Sequence, residues 1–256
     1  MKERTQLEWL RSDVEEVRRV LDEHPQVFEA LADVRDPDRH AKYLVVAELT
    51  WRIWTHAMAV EVLLREDLYT PALIIQRAMF DAFVTLGYVV KHPKSQDEAV
   101  ILLAYSYLRD LRHFPTQTDL VREYTDVLNR MPKRLVNTAK ARAKERPRTW
   151  SGKSIKQMAE AAGVRGYDPG YTHMSGEAHA SAMGRHIRTT RHGDMMNLEA
   201  GRRTTDKEVQ ASANYARRFL HVSFKTLWDV FGGPKITIRS ENPDEWLAKQ
   251  TGRAAT

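Results

Sequence analysis

The most apolar stretch of the chain is Leu68–Val90, LYTPALIIQRAMFDAFVTLGYVV, in which apolar side chains take almost every helical position. A helix that is apolar all round is typical of the centre of a globular protein. The pattern therefore predicts a buried central helix. Arg77, Asp81 and Thr85 recur every four residues within it, so one polar seam runs along this helix. Arg77 and Asp81, at positions i and i+4, can form an ion pair inside the helix.

Amphipathic patterns with a helical period cover most of the remaining chain. The first two lie at Glu3–Leu31, broken near Pro25, and at 41–67. The next begins at an N-cap at Ser95 and ends just before Pro115, and another covers 118–148 with an interruption at Pro132. A short one runs from Ser151 or Ser154 to Gly163, and the last covers 205–232. The remaining segments resemble connections: a loop at Arg35–His40, a loop or small hairpin at 185–203, and one strand-like run after Pro234. At the central helix, Thr70 is the predicted N-cap and Pro71 the first helical residue.

These patterns predict an all-α fold, a multi-helix bundle of about seven to nine helices around a central buried helix, with a short irregular C-terminal tail. At 256 residues the chain can bury one sizeable core. We expect a single α-helical domain at 1–233 and a tail at 234–256. The short link between the 41–67 helix and the central helix predicts an antiparallel helical hairpin.

Composition excludes several kinds of site. The chain has no cysteine, which rules out a disulfide scaffold, thiolate zinc ligands and a cysteine nucleophile, and which fits a reducing cytoplasm. Its first ten residues, MKERTQLEWL, are charged and lack the apolar segment of a secretion signal. Because Arg77 and Asp81 lie in the middle of the most apolar stretch, a buried soluble helix is favoured over a membrane span. We expect a cytoplasmic protein that does not enter a membrane.

The charge balance favours an acidic partner. A net charge of +6 and a pI of about 9.5 make RNA or another polyanion the first candidate, and a basic surface without a specific ligand the alternative. Basic residues are concentrated in two segments, and either could contact phosphates or form a solvated face. The predicted nucleic-acid contacts are Lys140, Arg142, Lys144 and Arg146 in the first segment, and Arg185, Arg188 and Arg191 in the second.

A second polar seam lies in the segment GYDPGYTHMSGEAHASAMG, after a predicted N-cap at Asp168. Tyr171, Ser175 and His179 fall at i, i+4 and i+8, so they share one helical face. Because a buried polar seam needs hydrogen-bond partners, we expect this face to pack against Arg77 and Asp81, with Asp81 orienting the His179 ring. The alternative is a satisfied polar network that fixes the helix register and performs no chemistry.

Two sets of residues resemble a known family. The segment ALIIQRAMFDAFVTLGYVVKHP is similar to a helix of the bacterial helical family of unknown function DUF5677, although Asp81 stands where that pattern usually has glutamate. The later block resembles the same family through Trp150-Ser151-Gly152, the helix ending at Gly163, and Tyr167, Tyr171, Ser175 and His179 at four-residue spacing. The resemblance covers Trp51–Gly184. It implies a helical fold and a polar cluster, without implying a reaction.

The helical architecture is also similar to that of HEPN-type ribonucleases, whose Arg-x4-6-His motif is matched by Arg185 with His192. Arg18 and Arg19 with His24, and Arg35 with His40, fit the same spacing, as expected by chance in an arginine-rich chain. In such enzymes histidine moves the proton of the attacking 2′-hydroxyl and arginine stabilises the phosphorane. Our leading hypothesis is an RNA-cleaving or RNA-binding effector in a stress or anti-phage setting. His179 would transfer the proton, Arg77 would bind the anion with Asp81 beside it, and Tyr171 and Ser175 would position the substrate. The competing hypothesis is a non-catalytic scaffold or protein-interaction module whose buried polar network is structural. Besides RNA or another polyanion, the partners considered are a second copy of the chain and a neighbouring protein.

Other chemistry is less well supported. His173 and Glu177, with His113 and His179, offer metal-ligand residue types, but His173 and His179 point in nearly opposite directions on one helix. Ser175, His179 and Asp81 are the residue types of a hydrolase triad, yet no nucleophile elbow surrounds Ser175. The sequence has no phosphate-binding loop, dinucleotide fingerprint or kinase motif. We therefore predict neither a metal nor a cofactor.

Overall fold

The computed structural model describes residues 5–23, 37–145, 150–164, 171, 174, 187–192, 195–200 and 205–231. Within them the fold is an all-α multi-helix arrangement with one small β-hairpin, which confirms the predicted fold class. The helices are α1 (Gln6–Glu23), α2 (Pro37–Arg65), α3 (Tyr69–Lys91), α4 (Ser95–His113), α5 (Thr118–Arg130), α6 (Lys133–Glu145), α7 (Ile155–Ala161) and α8 (Asp206–Phe231). The hairpin strands are β1 (Ile187–His192) and β2 (Met195–Ala200).

Helix α3 lies at the centre, as its apolar pattern predicts. It packs against α2, α4, α7 and α8, and its buried side chains include Leu73, Met79 and Leu86. By length and hydropathy α3 could also cross a membrane, a criterion that core helices of soluble proteins meet equally. Its contacts with four other helices explain why almost every face is apolar.

The α2–α3 connection is the predicted antiparallel hairpin. At the end of α2, Asp67 takes a left-handed conformation (φ 57°), and Leu68 N donates to Leu63 O at 2.8 Å, which is a Schellman-type turn. The chain reverses so tightly that α3 already begins at Tyr69, with Leu68 as its N-cap and no side-chain cap. The predicted N-cap at Thr70 is therefore wrong, because Thr70 lies within the first turn.

Prolines mark other helix ends. Helix α2 begins at Pro37, within the segment predicted as a loop, because proline is well suited to the first helical position. Helix α4 ends at His113, ahead of Pro115, and Pro132 separates α5 from α6, as predicted. Ser95, the predicted N-cap of α4, is instead its first residue.

Helix α7 has well-defined ends. Ser154 and Gln157 form a capping box at its start. At its end Gly163 adopts φ +64°, and Val164 N donates to Ala159 O at 2.9 Å, which completes a Schellman turn. The predicted boundaries at Ser154 and Gly163 are both confirmed.

Small residues and a lysine bring α7 against α3. A Cβ added at Gly87 on α3 would lie 3.3 Å from the Ala162 Cβ, so glycine permits this close approach. Lys91 Nζ donates to Ala162 O at 2.6 Å and stabilises the carbonyl end of α7. These contacts hold α7 close to the central helix.

The segment predicted as a loop or small hairpin contains an antiparallel hairpin. Ile187 pairs with Ala200, and His192 pairs with Met195. The predicted halt of α8 at Gly232, the strand-like run after Pro234 and the tail at 234–256 lie outside the described residues, as does the chain around Pro25.

Candidate functional site

The polar seam of α3 contains the ion pair that its spacing predicts. Arg77 Nε donates to Asp81 Oδ1 at 3.1 Å, and the two side chains are 14% and 38% exposed. Thr85, the third member of the seam, donates its hydroxyl to the Asp81 carbonyl oxygen at 2.8 Å. Thr85 thus bonds within its own helix, whereas Arg77 and Asp81 extend toward neighbouring elements.

Tyr171 packs on Arg77. The guanidinium carbon lies 3.7 Å from the centroid of the Tyr171 ring, a cation–π arrangement, and Arg77 Nη2 donates to the Tyr171 hydroxyl. The ring also lies 5.7 Å from that of Phe80. Arg77, Asp81 and Tyr171 are thus brought together as the matching seams predict.

Ser175 and His179, the other two predicted members of this cluster, lie outside the described residues. Their placement beside Arg77 stays a prediction. Within the described part of the cluster, Arg77 Nη1 is buried and forms no hydrogen bond, so Arg77 retains a donor beyond those that serve Asp81 and Tyr171.

Asp81 borders an open cavity of about 780 Å³ between α2, α3 and α4. Burial raises the pKa of the Asp81 carboxyl above its usual value of 3.8, and the hydrogen bond and charge of Arg77 oppose that rise only in part. A carboxyl with a raised pKa beside a cavity is a candidate for proton transfer.

His56 on α2 lines the same cavity and was not among the predicted site residues. Burial, and secondarily the charge of Arg52, lower the pKa of the imidazole below 6.5, which favours the neutral ring at pH 7. Its Nδ1 is buried and has no hydrogen-bond partner among the described residues. The available sequence signal was weak: His56 lies three residues after the buried Ile53, on the inner side of a helix whose pattern otherwise indicates core.

Two arginines at the cavity are weakly held. Arg52 Nη2 lies 3.1 Å from Glu48 Oε1, and Arg109 Nε lies 3.4 Å from Asp110 Oδ1. In both pairs the arginine side chain is more than half exposed, and exposed pairs contribute little to stability. Either guanidinium can therefore turn toward an anion without a large loss.

The cavity has a polar end and an apolar end. Because the links α2–α3 and α3–α4 are only three residues long, the chain reverses at each, and residues equally distant from a link lie at the same level. His56 and Arg109 then lie at one end, Arg52 and Asp81 in the middle, and Leu49 and Leu102 at the other. Trp150 also lines the cavity. Its ring centroid lies 5.8 Å from that of Tyr88, near the C-terminal end of α3, which places Trp150 at the apolar end.

The predicted nucleic-acid contacts on α6 differ in whether the side chain is already paired with a carboxylate. Lys140 and Lys144 are exposed on α6, whereas Arg142 donates to both carboxylate oxygens of buried Glu98, at 2.8 and 3.0 Å. Arg142 is thus already engaged by a carboxylate that α4 supplies, and Glu98 raises its pKa.

In the second basic segment, Arg188 and Arg191 lie three residues apart on β1. Their positions therefore belong to opposite faces of the hairpin, with Arg188 paired across from Glu199. Arg146 and Arg185 lie outside the described residues.

Among the described residues, no group of three or more His, Asp or Glu side chains could hold a metal ion. Of the metal-ligand types considered in the sequence, His113 ends α4, while His173, Glu177 and His179 lie outside the described residues.

Comparisons with known proteins place the chain in a family. No curated protein and no solved structure matches the chain. The model of a family of unknown function, DUF5677, matches residues 43–195, a span that contains α3, the cavity between α2, α3 and α4, and Tyr171. Since that match covers more than half of the 256 residues, the chain belongs to the DUF5677 family.

Proposed function

We propose that the chain is an RNA-directed protein that binds a phosphodiester at the cavity between α2, α3 and α4 and cleaves it without a metal. One observation carries the proposal: Asp81, His56, Arg52 and Arg109 all line a single open cavity of about 780 Å³. Two groups suited to proton transfer and two cations are what cleavage next to a 2′-hydroxyl requires.

Binding depends on the two arginines. Guanidinium groups bind phosphate oxygens in a bidentate way. To bind a phosphate, Arg52 and Arg109 each lose only one ion pair in which the arginine is more than half exposed. The apolar end, with Trp150 and the leucines, offers a surface for a base that is unstacked from its neighbours. This division of the cavity fits a nucleotide unit better than a free inorganic anion.

Proton transfer depends on His56 and Asp81. Neutral His56 accepts the proton of the 2′-hydroxyl as its oxygen attacks phosphorus. The 5′-oxygen leaves with a proton from the protonated form of Asp81, which the raised pKa of this carboxyl populates more than in an ordinary aspartate. The products are a 2′,3′-cyclic phosphate and a 5′-hydroxyl. His179, four residues after Ser175 and eight after Tyr171 on the predicted helical face, is the other candidate for proton transfer.

The test is incubation of purified protein with bulk RNA in the presence of a chelator. The wild type is compared with His56→Gln, Asp81→Asn and His179→Ala, and with the double variant Arg52→Gln/Arg109→Gln. Arg112→Gln is the matched control, because Arg112 is an exposed arginine of α4 that does not line the cavity.

We expect loss of cleavage in His56→Gln, and weaker RNA binding in the double arginine variant. Loss of two phosphate contacts on single-stranded RNA should reduce the slope of log K against log salt by roughly one to one and a half. Equal binding by the double variant and Arg112→Gln, together with no cleavage by the wild type, would overturn the proposal.

A scaffold function is the second candidate, and the Arg77 network favours it. Arg77 is largely buried, pairs with Asp81 and stacks on Tyr171, contacts that fix the position of Tyr171 on α3. If this network is purely structural, Tyr171→Phe should lower the melting temperature and leave RNA binding unchanged. Reduced RNA affinity in a fully folded Tyr171→Phe protein would argue for the RNA-directed function instead.

A further inference from the structure

A second cavity, of about 390 Å³, lies between α4, α5 and α6, away from the site described above. Its volume falls within the usual range of small-molecule sites, roughly 300–1,000 Å³. Aliphatic side chains from all three helices line it: Leu108 and Leu111 of α4, Leu128 of α5 and Val136 of α6. Thr125, Asn129 and Asn137 line it as well, so the cavity has an aliphatic wall beside polar side chains.

The rim of this cavity is cationic. Lys133 and Lys140 both line it, and because they lie seven residues apart on α6 they share one helical face, about 10 Å from each other along the axis. Both lysines are exposed, and the structure records no ion pair between either one and a described residue. The cavity thus combines an aliphatic wall with two ammonium groups to which the described residues supply no counter-charge.

The two arginines of α6 behave differently from these lysines. Arg134 pairs with Asp97 at 3.1 Å, and Arg142 pairs with Glu98 at 2.8 Å. The acidic residues in the first turn of α4 therefore neutralise the arginines and leave the two lysines over the cavity. Charge complementarity with these two lysines favours a ligand whose head group is anionic.

Helix α5 forms one wall and is loosely attached. It has no fully buried residue, and its ring contact to α4 is between Tyr124 and Tyr107, with centroids 4.7 Å apart. Pro115 and Pro132 lie in the connections at its two ends. A wall with so little buried surface can shift outward at low cost and admit a ligand.

We propose that this cavity binds a small amphipathic anion, a molecule with an aliphatic body and a single carboxylate head. The body lies against Leu108, Leu128 and Val136, and the head accepts hydrogen bonds from Lys133 or Lys140. The site is separate from the cavity that contains Asp81, so the proposal stands whether or not the chain acts on RNA.

The experiment is a titration of the full chain, labelled at leucine and valine methyl groups, with octanoate, octylammonium, 1-octanol and acetate, followed by NMR. We expect saturable shifts at the methyl groups of Leu108, Leu128 and Val136 with octanoate alone. The double variant Lys133→Gln/Lys140→Gln should bind octanoate roughly tenfold more weakly, as expected for the loss of charge-assisted hydrogen bonds. Lys144→Gln, an exposed lysine of the same helix outside the cavity, should bind as the wild type does.

Several outcomes would overturn the proposal. Equal binding of octylammonium or 1-octanol would remove the role of the lysines, and shifts confined to other methyl groups would place the ligand elsewhere. Binding of an acidic peptide at Lys133 and Lys140 without any octanoate binding would identify a protein-docking surface instead. Because both lysines are exposed, unchanged melting temperatures in the variants will show that they remain folded.

Discussion

Asp13 on the first helix and Arg217 on the last form a fully buried ion pair, with Arg217 Nε donating to Asp13 Oδ2 at 2.8 Å and side chains 1% and 0% exposed. His221 Nε2 lies 2.8 Å from the same oxygen, and Gln6 Oε1 accepts a hydrogen bond from Arg217 Nη1. These contacts join residues that lie 204 to 211 positions apart along the chain, and they hold α1 against α8.

Removal of one partner of this pair should destabilise the protein strongly. Asp13→Ala leaves the Arg217 charge buried without its carboxylate, and we expect a loss of about 3–5 kcal/mol in the free energy of unfolding. Urea denaturation measures the change. The matched control is Asp229→Ala, which breaks the exposed pair with Lys225 on the same helix and should cost about 0–1 kcal/mol. Similar losses in the two variants would contradict the structural importance of the buried pair.

The raised pKa of Asp81 predicts how Asp81→Asn changes stability with pH. Because the folded state holds the proton more tightly than the unfolded state, the contribution of Asp81 to stability is present below about pH 3.8 and is lost as pH rises through the folded pKa. The asparagine side chain mimics the protonated carboxyl and does not titrate. The melting temperature of the variant should therefore rise relative to wild type between pH 3.5 and 7, as calorimetry at several pH values can measure. A relative fall over that interval would contradict the raised pKa.

The lowered pKa of His56 predicts a loss of stability as pH falls, the opposite direction to that of Asp81. Its pKa is lowered in the folded state, so its contribution to stability is present above about pH 6.5, the unfolded value, and is lost as pH falls through the folded pKa. The stability of wild type relative to His56→Gln should decrease as pH falls from 7.5 toward 5. NMR titration of the His56 ring provides the direct measurement. A ring pKa at or above 6.5 would refute this account.

Gly163 offers a test of the turn that ends α7. Its φ of +64° favours glycine, and a Cβ there would meet Lys91 Nζ only at an ordinary 3.7 Å. Gly163→Ala should therefore cost roughly 1–2 kcal/mol through backbone strain alone, as measured by urea denaturation. The control Gly87→Ala tests crowding instead, since its Cβ would approach the Ala162 Cβ at 3.3 Å. An unchanged stability in Gly163→Ala would contradict the left-handed turn.

Local patterns predicted the parts of the site that depend on one helix. Arg77 and Asp81 pair because four residues along an α-helix bring side chains onto the same face, and this holds wherever the helix packs. The same spacing on the Tyr171 segment indicated a matching face, and Tyr171 does lie on Arg77. The expected positions of Ser175 and His179 follow from the same rule and stay predictions.

The predicted basic contacts show where local reasoning stops. Arg142 and Lys140 belong to one charged run in the sequence, yet Arg142 pairs with Glu98 while Lys140 borders a cavity. Spacing along α6 gives the directions of the two side chains but cannot say that the first turn of α4 supplies an acidic partner to one of them.

By itself, the sequence determined the helical fold, the buried central helix, most helix ends and the ion pair at Arg77, because each depends on residues within a few turns of one another. Tertiary structure alone decided that His56 and Asp81 share a cavity, that Arg217 is neutralised by Asp13, and that two lysines of α6 receive no counter-charge from the described residues. Those relationships depend on which helix faces which and on how deeply each charge is removed from water. Both are properties of the packed molecule, since contacts between distant segments form only when whole helices come together.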